Sequence, residues 1–247
     1  MSTEPASPIR PTKIERGVNS HAEGSALITS GRTRVLVTAS VIPQVPGWLA
    51  GSGSGWITAE YGMLPRATNS RKPRPETRTK PDGRSLEIQR LVGRSLRQTA
   101  EVGYLKSHSI YIDCDVLEAD GGTRVASVNA GVVALFEALV WMKRKKILPG
   151  VPTKGLVAAM SVAWSGGAAV LDPDYKADSS AEADMNSVFS ESGDIVELQI
   201  TGEKAPVPEE RLTGMVRLAR EGAREMFGRI REALGDELLK EAGLAAK

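Results

Sequence analysis

The stretch after Gly121-Gly122 constrains this fold more than any other part of the chain. From there to about Lys146 it reads as one long helix, rich in Ala, Val and Leu and apolar on nearly all sides. A helix on a surface keeps one polar face for water; a helix apolar all round has to be central and buried. It needs strands to cover it, and the sequence offers them. Ser25–Ser30 and Thr33–Val41 flank Ser30-Gly31-Arg32 as a hairpin. In Ser109–Glu118, Ile110, Ile112, Cys114 and Val116 alternate with Tyr111, Asp113 and Asp115, the period of a half-buried strand. Residues 156–172 read as two strands about Ser165-Gly166-Gly167, with further strands near Asp184–Phe189 and Asp194–Ile200. A second helix is expected over Ser85–Glu101, with Ile88, Leu91, Val92 and Leu96 on one face. A third opens at Pro208 with an apolar stripe from Leu212 to Ile230, and the last dozen charged residues are expected to fray. Strands separated by a few long helices give an α+β class, a mixed α/β arrangement.

The 247 residues allow one large domain or two small ones. One cysteine, Cys114, excludes a disulfide scaffold, and with only His21 and His108 beside it a Cys/His metal centre is excluded too. Cys114 lies on the apolar parity of its strand, which argues against a nucleophile. The histidines have no supporting constellation. Met1 to Arg10 is polar and Pro-rich, unlike a signal peptide. No apolar run approaches the roughly 20 residues needed to span a bilayer. A reduced, cytoplasmic protein with no membrane partner is expected.

Net charge is +2, yet its distribution is uneven. Arg66–Lys106 holds 11 basic and 4 acidic residues, and Leu171–Glu210 holds 11 acidic and 2 basic ones. The blocks fit a polyanion cradle beside an acidic metal pocket, or complementary surfaces that pair within the fold or across an oligomer. The Pro-rich segment from Pro65 to Gly83 is expected to be an exposed basic loop.

Three places carry possible chemistry. Gly121-Gly122-Thr123-Arg124 joins a strand to a helix N-terminus, where open N–H groups, the helix dipole and an arginine fork favour an anion; a plain turn is the alternative. Gly83-Arg84 repeats that logic, and two helix starts facing one point would hold one phosphate between two arginines. The acidic loop Leu171–Asp184 carries five carboxylates in 13 residues, enough for a hard cation such as Mg²⁺ or for a merely solvated loop. Asp178 and Asp184 are six apart, wrong for one helix face; a strand would put them on one face but far apart, and a loop folding back onto a strand is the arrangement able to bring them together. Trp48, Trp56 and Tyr61 flank the flexible Gly51–Gly55 turn and suit base stacking or packing. No phosphate-binding loop of the G-x-x-x-x-G-K-[ST] type, dinucleotide fingerprint or EF-hand spacing occurs.

The order of these pieces resembles the ribonuclease PH family. The resemblance rests on His21-Ala22-Glu23-Gly24-Ser25, on Gly55-Trp56-Ile57-Thr58-Ala59-Glu60-Tyr61-Gly62-Met63-Leu64-Pro65-Arg66-Ala67-Thr68, and on Gly83-Arg84 with Glu87-Ile88-Gln89-Arg90. It continues through Asp113-Cys114-Asp115-Val116, Ala119-Asp120-Gly121-Gly122-Thr123-Arg124, Asp178-Ser179, Ala181-Glu182 and Asp184-Met185-Asn186, and spans about Arg10 to Arg231. It implies a phosphorolytic 3′→5′ exoribonuclease, a tRNA nucleotidyltransferase that trims precursor tRNA with inorganic phosphate and releases nucleoside diphosphates. The implied fold is a ribosomal protein S5 domain 2-like core with a smaller C-terminal α/β subdomain. That divides the chain into a tail over 1–12, a core domain over 13–150, a subdomain over 151–235 and a charged tail over 236–247. The implied assembly is a homohexamer, a trimer of dimers, acting on RNA.

Carried over by residue, the resemblance gives Arg84, Gly122, Thr123 and Arg124 to phosphate, and Asp178 and Asp184 to catalysis and Mg²⁺. It gives Arg66, Arg71 and Arg74 to RNA, and the charge of Lys72 and Arg78 extends that strip. The chain departs from the family pattern at Gly47, Val125, Ala163-Trp164 and Ile200. An inactive RNA-binding member, or a subunit of a larger exosome-like assembly, would share the fold; the retained set of arginines and carboxylates favours the enzyme.

Overall fold

The computed structural model describes residues 9–74 and 82–245. Pro75, Arg78 and Pro81 of the expected basic loop lie outside the described residues, as do residues 1–8 of the expected tail. The tail expectation fails nearer the body. Ile9 is buried, and the first strand already begins at Thr12.

Two sheets enclose the long helix. The first comprises β1 (Thr12–Arg16), β2 (Gly24–Ser30), β3 (Thr33–Ile42), β4 (Trp56–Met63) and β5 (Ser109–Glu118), in the order β1-β2-β3-β5-β4. The strands pair antiparallel except β4 and β5, which are parallel and joined through helix α1 (Gly83–Arg97), the crossover that parallel neighbours require. Register follows the hydrophobic alternation. Val35, Val37 and Ala39 face Val116, Cys114 and Ile112 across β3 and β5, and all six are buried. Burial pushes the Cys114 thiol far up, which leaves it a core side chain.

Helix α2 (Thr123–Arg144) has 22 residues, about 33 Å at 1.5 Å per residue, and 17 of them are buried. One flank packs on β2, β3 and β5, and another meets the second sheet. Gly24 exists for that contact: a Cβ there would sit 2.0 Å from the Ala134 carbonyl oxygen of α2. Glu23 accepts the Val41 N–H at 2.7 Å, so both residues of the His21–Ser25 motif serve the scaffold.

The second sheet runs β7 (Ala168–Leu171), β6 (Val157–Ser165), β8 (Ala183–Ser190), β9 (Ile195–Gly202), all antiparallel. Buried Asn129 of α2 fastens it: its side-chain amide donates to the Ala159 carbonyl at 3.0 Å and accepts the Ala159 N–H at 2.8 Å. Helix α4 (Glu209–Glu241) covers the opposite face, with Gly222 against Met160 and Leu171.

Two elements differ from expectation. Part of the acidic loop is a short helix, α3 (Tyr175–Ser180), capped by the Asp174 carboxylate, which accepts the Ala177 N–H at 2.8 Å. The last residues do not fray: α4 bends at Gly235 (φ 71°) and continues to Glu241, burying Leu238 and Leu239. Lys143 and Arg144 at the end of α2 bond Glu241. The α2 segment also meets the length and hydropathy of a membrane span, but 89% of that window is buried inside the protein.

Candidate active site

Three helix starts and one strand converge on an open groove. From α1 comes Arg84, from the start of α2 come Gly122 and Thr123, and from α3 comes Asp178. Arg66 and Lys72 complete the wall from the basic segment, whereas Arg71 and Arg74 are exposed and do not line the groove.

The α2 turn is built for close approach. Gly121 and Gly122 both have positive φ, 80° and 68°, which glycine adopts without strain. Gly122 is the N-cap and has no side chain to occupy the first-turn N–H groups, so these donors stay free for an anion. The Thr123 hydroxyl bonds the Tyr61 hydroxyl at 2.8 Å. Tyr61 is buried and its phenol is pushed above its ordinary value, chiefly by burial. It is a packing residue rather than a stacking platform. Trp56 is similarly engaged, with Arg97 4.4 Å from its ring centre and Trp48 edge-on at 4.9 Å.

Arg124 is aimed from both sides. Its Nη1 lies 3.4 Å from Glu87 Oε1 on α1 and 3.4 Å from Gln199 Oε1 on β9. Sequence reasoning gave neither partner a role; Glu87, one turn past Arg84, and the family-pattern Gln199 were the available signals. Ile200, a departure from the family pattern, turns the other way from Gln199 and packs on the core beside its cross-strand partner Met185. Ala163, another departure, stands opposite Asp184 on β6 and leaves that carboxylate room. Gly47 is exposed with open space about it, and Val125 is buried in the first turn of α2.

Asp178 and Asp184 come together because α3 turns directly into β8, not through the open loop expected. Each carboxyl is held above its ordinary value. For Asp178 the cause is burial, opposed by Arg84 and Arg124; for Asp184 it is burial and then the charge of Asp178, opposed by Arg124, Asn186 and Arg84. All four charged groups therefore feel one another. Asp184 Oδ2 accepts from Asn186 at 3.0 Å, while Oδ1 is buried with no hydrogen-bond partner. An unpaired carboxylate oxygen beside a second carboxylate fits a hard cation. Among the described residues no group of three or more His, Cys, Asp or Glu forms a closed metal site. Mg²⁺ needs none, since it binds through one or two carboxylates, water and substrate phosphate.

Two arginines and an open helix N-terminus facing a carboxylate pair define an enzyme suited to phosphate and phosphodiester chemistry. The 3′ exoribonuclease family matches in both parts, domain 1 over residues 8–140 and domain 2 over residues 155–222. Ribonuclease PH of Methylobacterium nodulans is 49% identical over 227 residues, covering 92% of this chain and 96% of that protein. Ribonuclease PH of Methylobacterium sp. strain 4-46 is 48% identical over the same shares. Among solved structures, the Archaeoglobus fulgidus exosome with RNA bound to the active site superposes with a TM-score of 0.78 at 23% identity, over 90% of this chain and 89% of that one. Rice Rrp46 superposes at 0.75 and 16% identity, over 94% and 99%. The chain belongs to the 3′ exoribonuclease family, and it is a phosphate-dependent 3′→5′ exoribonuclease.

Proposed function

We propose that this enzyme trims 3′ extensions from precursor tRNA in the cytoplasm, as a homohexameric ring, with Arg84, Gly122, Thr123 and Arg124 holding inorganic phosphate. The observation that carries the reading is the charge coupling of Arg84 and Arg124 to both Asp178 and Asp184, at a groove that Arg84 and Asp178 line.

Phosphate and the last RNA linkage are both anionic and repel each other. Arg84, the Arg124 fork and the first-turn N–H groups of α2 offset that repulsion and hold a phosphate oxygen in line with the terminal phosphorus. The oxygen attacks, the bond from phosphorus to the penultimate 3′ oxygen breaks, and the last residue leaves as a nucleoside 5′-diphosphate. Asp184, as a carboxylate, relays to the departing 3′ oxygen the proton that hydrogen phosphate brings, and is ionised again after the step. Asp178 and Asp184 would hold Mg²⁺, which when bound neutralises charge on the phosphates. Arg66 and Lys72 in the groove, with Arg71 and Arg74 outside it, bind the RNA backbone with little regard to sequence.

The test is an RNA with extra nucleotides beyond a tRNA-like CCA end, incubated with Mg²⁺ with and without phosphate. Phosphate-dependent shortening to diphosphates is expected. Monophosphates released without phosphate would mean hydrolysis and overturn the mechanism. Gel filtration of the purified chain checks the ring.

A further inference from the structure

We infer that Arg10 and Asp172 are positioning residues for the reaction, a buried clamp that sets the phosphate-binding turn against the carboxylate helix. This rests on the phosphorolytic reading above. The two residues are 162 positions apart, and their side chains retain only 16% and 5% of their exposure.

Three donors of Arg10 are committed, while its Nε is buried without a hydrogen-bond partner. The Arg10 backbone N–H donates to Asp172 Oδ2 at 2.9 Å, and its Nη2 donates to Oδ1 at 2.7 Å. Its Nη1 donates to the Asp120 carbonyl at 2.7 Å, directly before the two glycines of the turn. A Cβ on Gly122 would lie 3.0 Å from Arg10 Nη2, so the guanidinium sits immediately against the turn. On the other side, a Cβ on Gly121 would lie 2.5 Å from the Pro173 carbonyl, so that turn and the chain entering α3 are in contact. Asp172 also holds a left-handed φ of 48°, a conformation that costs a non-glycine residue free energy and persists where surroundings enforce it. Its N–H is fixed to the Ser161 carbonyl of β6 at 2.8 Å. One ion pair thus ties the second sheet to the phosphate turn, six residues before Asp178. Arg10 also opposes the upward push of burial on Asp178.

The test separates the clamp from mere backbone shape. Asp172→Gly relieves the left-handed strain and deletes the carboxylate; Arg10→Ala deletes the other half. In steady-state phosphorolysis each is expected to raise KM for phosphate roughly tenfold, with KM for RNA at saturating phosphate within about twofold of wild type. The double variant should be no worse than either single one, since both remove the same interaction. If either variant fails to fold, Asp172→Asn, whose side chain tolerates the left-handed region and keeps the shape, carries the same measurement with a smaller rise. Folded variants with the wild-type KM for phosphate, or with additive losses that move both KM values together, overturn the clamp alone. A wild-type protein that releases no diphosphate overturns the underlying reading and the clamp with it.

Discussion

In the proposed phosphate site, Arg124 is expected to act as an arginine fork rather than as a bare positive charge. Glu87 and Gln199 hold its fork in place, and lysine offers a point charge with no planar pair of donors. A charge-assisted hydrogen bond is worth about 1.5–3 kcal/mol, so Arg124→Ala is expected to lower kcat/KM for phosphate roughly 10- to 150-fold. Arg124→Lys should recover only part of that, measured in initial rates against phosphate concentration. Asp184 gives the opposite relation between stability and activity. Its folded pKa is raised, so the stability tied to its proton is complete below the ordinary carboxylate range and is lost as pH rises through the raised value. At neutral pH the ionised group is a liability. Asp184→Asn is therefore expected to abolish turnover yet raise the melting temperature at neutral pH with metal chelated, and the difference should vanish in strong acid. Gly121→Ala combines a forbidden φ with a clash against Pro173, and should cost about 2 kcal/mol or more in denaturant unfolding.

At the scale of elements, what was legible in the sequence follows from length and period. β5 was read to its ends because ten residues alternate without interruption, and α2 because no other structure can hide so many apolar neighbours. α3 escaped because six residues of Asp, Ser, Ala, Lys and Tyr carry no apolar stripe; its cap, Asp174 to the Ala177 N–H, was the one available signal. The end of α4 was misread because charge masked Leu234, Leu238 and Leu239, and because Gly235 shifts their phase. The site residues were nameable one by one, from helix starts and carboxylates. Their meeting was not, since the α3-to-β8 turn that makes it depends on tertiary packing. Asn129 was passed over inside an apolar helix. Asn129→Leu would strand both polar groups of Ala159 in the core and should destabilise by about 2–3 kcal/mol in chemical denaturation, although the new side chain is apolar.

For the whole molecule, the two opposite charge blocks pair in part within the fold. Arg94 from the basic block grips Glu197 from the acidic one at 3.0 Å to both oxygens, so part of the charge is spent within the fold. Another part lines the groove, with Arg66, Lys72 and Arg84 from the basic block and Asp178 from the acidic one. RNA binding through those cations should weaken steeply with salt. Arg66→Ala should flatten the log–log slope by about 0.7, the value for one phosphate contact on a single strand, in a salt titration of binding.

The helix apolar on all sides also sets an order for synthesis. A ribosome makes all of α2 before any residue of β6, β8 or α4, yet those elements cover the flank that the first sheet leaves bare. A released chain ending near Gly150 would present that flank to the cell as an adhesive surface. Residues 1–150 made alone should therefore go to the insoluble fraction, and making residues 151–247 in the same cell should bring them back into solution.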